Sequence, residues 1–105
     1  MKVIFSSLFK QDMKTATGRY SEISPRLGLD FTDRVKAAVR TIIRWEGGDH
    51  VGPHGYPCRR CQPFPYLLYY QIDAEVLYVL GLVHERRHPD HLKNRLDESG
   101  DSKPD

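Results

Sequence analysis

The residues of this chain best suited to chemistry crowd toward its end: His84, Glu85, Arg86, Arg87, His88, His91, Lys93 and Arg95. Arginine grips phosphate through paired, parallel N–H···O bonds, which lysine cannot do. A histidine titrating near neutrality can take or give the proton of a phosphodiester reaction. On RNA, such a set would let a 2′-hydroxyl attack the adjacent phosphate while arginine charge stabilises the transition state. His84, Arg86, Arg87 and His91 are the catalytic candidates if that chemistry operates. The rival reading is a solvated, charged chain end. Strict alternation puts His84 on one strand face with Val76, Tyr78, Leu80 and Leu82, where a satisfied, half-buried histidine fits equally well.

Arg59 and Arg60 form a second basic point. If they lie on a strand, they face opposite ways, so only one can share a groove with His84 and the other anchors the helices or an acidic partner. With Lys93 and Arg95 they are candidates for holding a substrate or a partner. Tyr66 and Tyr70 join them, because aromatic rings can stack on bases, although tyrosine is also an ordinary occupant of half-buried strands. His50, His54, Cys58 and Cys61 have the ligand types of a zinc site. Their order matches no familiar finger or ribbon, and an extended segment would send the two thiols to opposite faces. His84, His88 and His91 have tempting spacing too, but Pro89 interrupts the helix it would need. No metal or cofactor is therefore expected.

The elements that must position these groups can be read from periodicity. Val3, Ile4 and Phe5 are β-prone, and Ser6 or Ser7 can cap a helix starting just after them. Phe9, Met13, Ala16, Tyr20 and Ile23 recur at helical spacing. Ser24-Pro25 then reads as an N-cap with proline at the first helical position. Phe31, Val35, Ala38, Val39, Ile42 and Trp45 mark the buried stripe of a second helix, which Gly47-Gly48 ends. Residues 47–57 are rich in Gly and Pro and lack periodicity. Phe64–Ile72 and Val76–Val83 read as strands joined by the turn Asp73-Ala74-Glu75. Neither carries a charge, which predicts a central pair covered on at least one face. Pro63 and Pro65 confine their region to an edge or bulge, and Pro89 could start a short basic terminal element. The predicted class is α+β: an N-terminal strand and a two-helix hairpin packed on a small, mostly antiparallel sheet.

At 105 residues the chain predicts one domain, over 1–96. Residues 97–105 hold four acids, one lysine and no apolar residue, the composition of a disordered tail. They also conceal how basic the body is, since the whole chain carries only +2. A basic body suits nucleic acid or an acidic protein partner. No run reaches the ~20 apolar residues of a membrane span, and the opening lacks the apolar core of a secretory signal. A cytoplasmic location is expected, where two cysteines do not suggest a disulfide framework.

The order of these elements, with F-P-Y, L-L-Y-Y-Q-I, an acidic turn, V-L-Y-V-L-G-L-V-H and R-R-H-P, resembles the RelE/ParE toxin superfamily. The upstream R-R-C, the L-G-x-x-F at Leu27–Phe31, and Asp12 with Tyr20 match in place. The resemblance covers about residues 3–96. It implies a small toxin of a type II toxin–antitoxin system, of the plasmid-stabilisation kind, held inactive by a cognate antitoxin that folds around its apolar strips and basic patches. The two branches of the superfamily imply two different activities. One cleaves messenger RNA on the ribosome without metal; the other inhibits DNA gyrase and is not an enzyme. Relative to the ribonuclease branch, a strand arginine is Leu67 here, a terminal tyrosine falls near His91, and expected lysines are replaced by Cys58, Arg59, Arg60 and Cys61. The pattern tilts toward a gyrase inhibitor, with the messenger endoribonuclease as the alternative.

Overall fold

The computed structural model describes residues 1–52 and 55–86. The terminal element expected from Pro89 and the acidic segment 97–105 lie outside the described residues. The elements run β1 (Lys2–Phe5), α1 (Ser7–Ile23), α2 (Pro25–Arg44), β2 (Cys58–Arg60), β3 (Tyr66–Asp73) and β4 (Val76–His84). They form the expected α+β fold, a helical hairpin on a four-stranded sheet of order β1-β4-β3-β2. The β2–β3 and β3–β4 pairs are antiparallel, and β1 lies parallel to β4. The β3–β4 pair, uncharged except for Asp73 at its turn, is central, as its composition predicts.

Both helix starts are set by serine. Ser6 Oγ accepts from the Phe9 N–H at 2.9 Å, and Ser24 Oγ accepts from Leu27 N–H at 3.0 Å. Each satisfies one of the donors a helix leaves open at its start. Pro25 lies in the first turn of α2. The two helices approach closely at Gly28, where any β-carbon would collide with the Ser21 side chain. This accounts for the glycine of L-G-x-x-F and lets Phe31 reach the sheet.

The second helix stops earlier than Gly47-Gly48. Glu46 N–H donates to Ile43 O at 3.2 Å and Gly47 N–H to Ile42 O at 2.9 Å. That is a Schellman closure, with Glu46 in the left-handed region at φ 49°. Trp45 lies past the last helical residue and is 67% exposed, beside the Arg44 guanidinium rather than in the predicted stripe. Ile23, the last residue of α1, is likewise exposed, beyond the reach of the sheet. The rest of both stripes packs as expected around Phe31, Val35 and Ile42, in contact with Leu68, Tyr70, Leu77 and Val79. Replacing fully buried Phe31 with Ala would cost ~3–5 kcal/mol.

One irregularity redirects the functional end of the sheet. Tyr69 pairs with Gly81 but Tyr70 pairs with Val79, so Leu80 is an extra residue in β4. A bulge of this kind shifts every side chain beyond it to the other face. Leu77, Val79 and Leu82 therefore join the helix-side core, whereas Leu80 and Val83 belong to a second cluster with Leu8 and Tyr69. His84 lies with Leu77, Val79 and Leu82, against Tyr66, and not with Val76, Tyr78 and Leu80 as unbroken alternation predicts.

The bulge also marks where β1 hands β4 over to α1. Ser6 N–H donates to Val79 O at 3.0 Å and Ser6 Oγ–H to Leu80 O at 2.7 Å. Past that point Leu82 N–H donates to the buried carboxylate of Asp12 at 3.1 Å. A buried N–H left unbonded would cost ~1–3 kcal/mol. Asp12 thus serves as a side-chain continuation of the strand that β1 is too short to supply.

Candidate partner-facing site around His84

The end of β4 lies beside the start of β3 and the end of β2: Tyr66 pairs with His84, Leu67 with Val83, and Arg60 with Leu67. Tyr66 meets the His84 ring edge-on, centroids 5.3 Å apart at 79°. Tyr66 is itself held by Phe31 and Tyr20 from the helices. His84 Nδ1 accepts the Arg86 backbone N–H at 3.1 Å. In the neutral ring this acceptor role places the proton on Nε2. One side of the imidazole is thereby oriented by the core and one nitrogen by the backbone just beyond the strand. Arg60 and Glu85 face each other at 3.5 Å, both largely in solvent. The end of β4 thus gathers His84, Glu85 and Arg86, and Arg60 joins them only through Glu85, on the face away from His84. Arg87, His88, His91, Lys93 and Arg95 lie outside the described residues.

Arg59 is sent elsewhere. Residues opposed across an antiparallel pair share a face, so Arg59, opposite Leu68, shares the helix side with His84, while Arg60, opposite Leu67, takes the other. Yet the Arg59 guanidinium turns away from His84 to the carboxylate of Asp49, with Nε and Nη2 each 3.1 Å from Oδ2. Tyr70 donates its hydroxyl to the same oxygen at 2.6 Å. Burial, then the hydrogen bond and charge of Asp49, push the Tyr70 hydroxyl well above its usual range. The triad pins the loop after α2 to β2 and β3. The pin is reinforced at Gly47, where φ is 94° and an added β-carbon would crowd Ile72. Asp49 escapes sequence reasoning because an aspartate in a Gly-rich loop looks like a turn former, and its partners lie 10 and 21 residues away.

The aromatic candidates are less accessible than their strand positions suggest. Tyr66 is 8% exposed and Tyr70 1%, so neither offers a free ring face to a base. The candidate zinc ligands among the described residues do not converge either. Cys58 packs in the far-side cluster and Cys61 is buried among the helix-side residues, so the thiols occupy opposite faces. Burial raises the Cys58 thiol, partly offset by a hydrogen bond with Tyr69, and pushes Cys61 up to about 12. Those environments favour neutral thiols over the thiolates that zinc requires. His50 is exposed, and His54 lies outside the described residues.

Residues 3–89 match the family model described as "ParE toxin of type II toxin-antitoxin system, parDE". The chain belongs to the ParE toxin family. No curated protein matched it. Family membership makes this chain the toxin of a type II toxin–antitoxin system, with a cognate antitoxin as its partner. The match runs from Val3, within β1, past the end of β4, and includes both the His84 end and the Asp49 pin. No helix among the described residues is long and apolar enough to cross a membrane.

Proposed function

We propose that this ParE-family toxin arrests growth in the cytoplasm by inhibiting DNA gyrase through protein–protein contact, and that it is not a nuclease. The observation that carries this reading is how the cationic and aromatic candidates are engaged. Arg59 and the Tyr70 hydroxyl are both committed to Asp49, Tyr66 is buried under the helices, and Arg60 leans on Glu85. Leu67 stands where the ribonuclease branch keeps an arginine. A phosphodiester reaction needs a proton-transfer group and phosphate-clamping arginines converging on one atom. Among the described candidates His84, Arg86 and the loosely paired Arg60 remain for that purpose, and Arg60 lies on the sheet face opposite His84. An exposed mixed-charge end on a rigid sheet suits contact with a protein surface better.

A second reading is favoured by one specific feature. The Arg86 N–H holds the neutral His84 ring with Nε2 as its N–H donor, an arrangement able to hydrogen-bond, and so stabilise, the charge that builds on a phosphate oxygen during 2′-hydroxyl attack. That reading is a metal-independent, ribosome-dependent endoribonuclease. Inducing the toxin and following plasmid supercoiling beside the 5′ ends of translated messages separates the two. Relaxed plasmid with intact messages is the expected outcome. Messages cut within codons, with cutting lost in His84→Ala and Arg87→Ala, would replace the gyrase reading with the nuclease.

A further inference from the structure

The flank of α2 that faces β2 carries a polar cleft of about 420 Å³, lined by the second half of the helix, by β2 and by Asp49 and Gln62. Arg34 and Arg59 stand in it, and Arg60 lines it from the outer strand of the sheet. Asp49 is the one acid among its described lining residues, so the cleft holds an excess of two positive charges. Its size suits a small ligand.

Both principal arginines keep hydrogen-bonding capacity. Asp30 lies one turn before Arg34 but pairs with Arg26 at 3.4 Å. Among the described residues Arg34 has no carboxylate partner. Arg59 gives only its Nε and Nη2 to Asp49, and both go to the same oxygen. A guanidinium carries five N–H donors in a planar fork, so the Nη1 side of Arg59 stays open. Asp49 holds one edge of that fork, and Tyr70 in turn holds Asp49 at 2.6 Å. The Arg59 donors are thus oriented before any ligand arrives, which lowers the ordering cost of binding.

Charge and donor geometry then select the ligand. A carboxylate, or an internal phosphodiester of a nucleic acid strand, would bring one negative charge to a cleft with two to balance. A phosphate monoester carries close to two at neutral pH and presents three terminal oxygens to the arginine forks. His84 is not among the described residues lining the cleft, so no histidine faces a phosphate held there.

We infer that the α2–β2 cleft is a binding site for a phosphate monoester dianion, clamped between the Arg34 and Arg59 guanidiniums, with Arg60 and the Gln62 amide at its margin. The site binds its ligand without cleaving it, and it stands whether or not gyrase is the target.

Inorganic phosphate is the first probe, titrated into the full-length chain against sodium chloride of equal ionic strength and followed by NMR of the arginine side chains. The Arg34 and Arg59 signals should shift saturably while the His84 ring signals stay in place. Arg34→Gln should weaken binding ~10-fold or more, and so should Arg34→Lys, because lysine keeps the charge but not the fork. Arg34 is exposed, so both variants should fold as wild type does. Arg19→Gln, which takes the same charge from α1, should leave binding unchanged. An unsaturable shift, or equal weakening in Arg34→Gln and Arg19→Gln, would overturn the site and leave only screening of surface charge. A nucleoside monophosphate should bind more strongly as pH rises through about 6, where its second proton leaves. Tighter binding by that monophosphate than by a 5′-phosphorylated DNA strand assigns the site to free nucleotides; the reverse order assigns it to strand ends. A strand bound equally well with and without its 5′-phosphate would overturn the monoester assignment.

Discussion

Arg59 and Arg60 are neighbours in sequence and opposites in circumstance. Arg59 belongs to a part-buried pin in which Asp49 accepts from two side chains, one of them the fully buried Tyr70. Arg60 belongs to a loose surface pair with Glu85, next to His84. Strand alternation separates the two side chains, and their surroundings then give them different work. A carboxylate withdrawn from water needs its partners, whereas an exposed ion pair contributes ~0–1 kcal/mol. The first arginine maintains the fold; the second sits in a pair weak enough that, in the reading proposed above, it can exchange Glu85 for a group on another protein.

Alkaline pH should break the first region most severely. Cys61, directly after β2, has its thiol raised from about 9 to about 12 by burial, and Tyr70 is raised as well. A group whose folded value exceeds its unfolded value keeps its full contribution below the unfolded value and loses it as pH rises toward the folded one. Stability should therefore decline from about pH 9 up to about 12, at no more than ~1.4 kcal/mol per unit from Cys61. Denaturant midpoints across that range should flatten in Cys61→Ala, and a slope identical to wild type would show that the thiol is not the cause.

Asp49→Ala removes the acceptor of both Arg59 and Tyr70, and should cost ~2–3 kcal/mol by urea unfolding at neutral pH. A loss below ~0.5 kcal/mol would place the pin on the same footing as the surface pair. The same region can be tightened as well as broken. Glu46 holds a left-handed φ of 49° at the closure of α2, a position suited to glycine, so Glu46→Gly should add ~0.5–1 kcal/mol. The smallest effect on stability belongs to the second region. Arg60→Ala and Glu85→Ala should each change it by less than ~0.5 kcal/mol, yet weaken target inhibition several-fold in a supercoiling titration.

Much of this architecture is legible without coordinates. Ser24-Pro25, the stripe from Phe31 to Ile42 and the largely uncharged β3–β4 pair each satisfy a local rule, so the hairpin, the central strands and the family emerge from pattern. What escapes is what depends on strand register. Leu80 looks like any other leucine in an apolar run, and only its pairing reveals that it turns His84 toward Tyr66 and the helices. Asp49 has no neighbour in sequence to explain it, because Arg59 and Tyr70 reach it only after β2 and β3 have formed. Trp45 fits the helical period but falls beyond the residue where the helix closes. The candidate site is thus partly visible as residue types, while its division into a pin and a free surface requires the fold.

The central claim, that this toxin acts by contact and not by cleavage, is tested most directly in a purified system. Gyrase supercoiling and cleavage of a ribosome-bound message would be measured side by side, with wild-type toxin and with His84→Ala. The account predicts that wild type blocks supercoiling, that His84→Ala changes the block by only a few-fold, about 1 kcal/mol or less, and that the message stays whole. An unaffected gyrase, together with a message that wild type cuts and His84→Ala leaves intact, would contradict it.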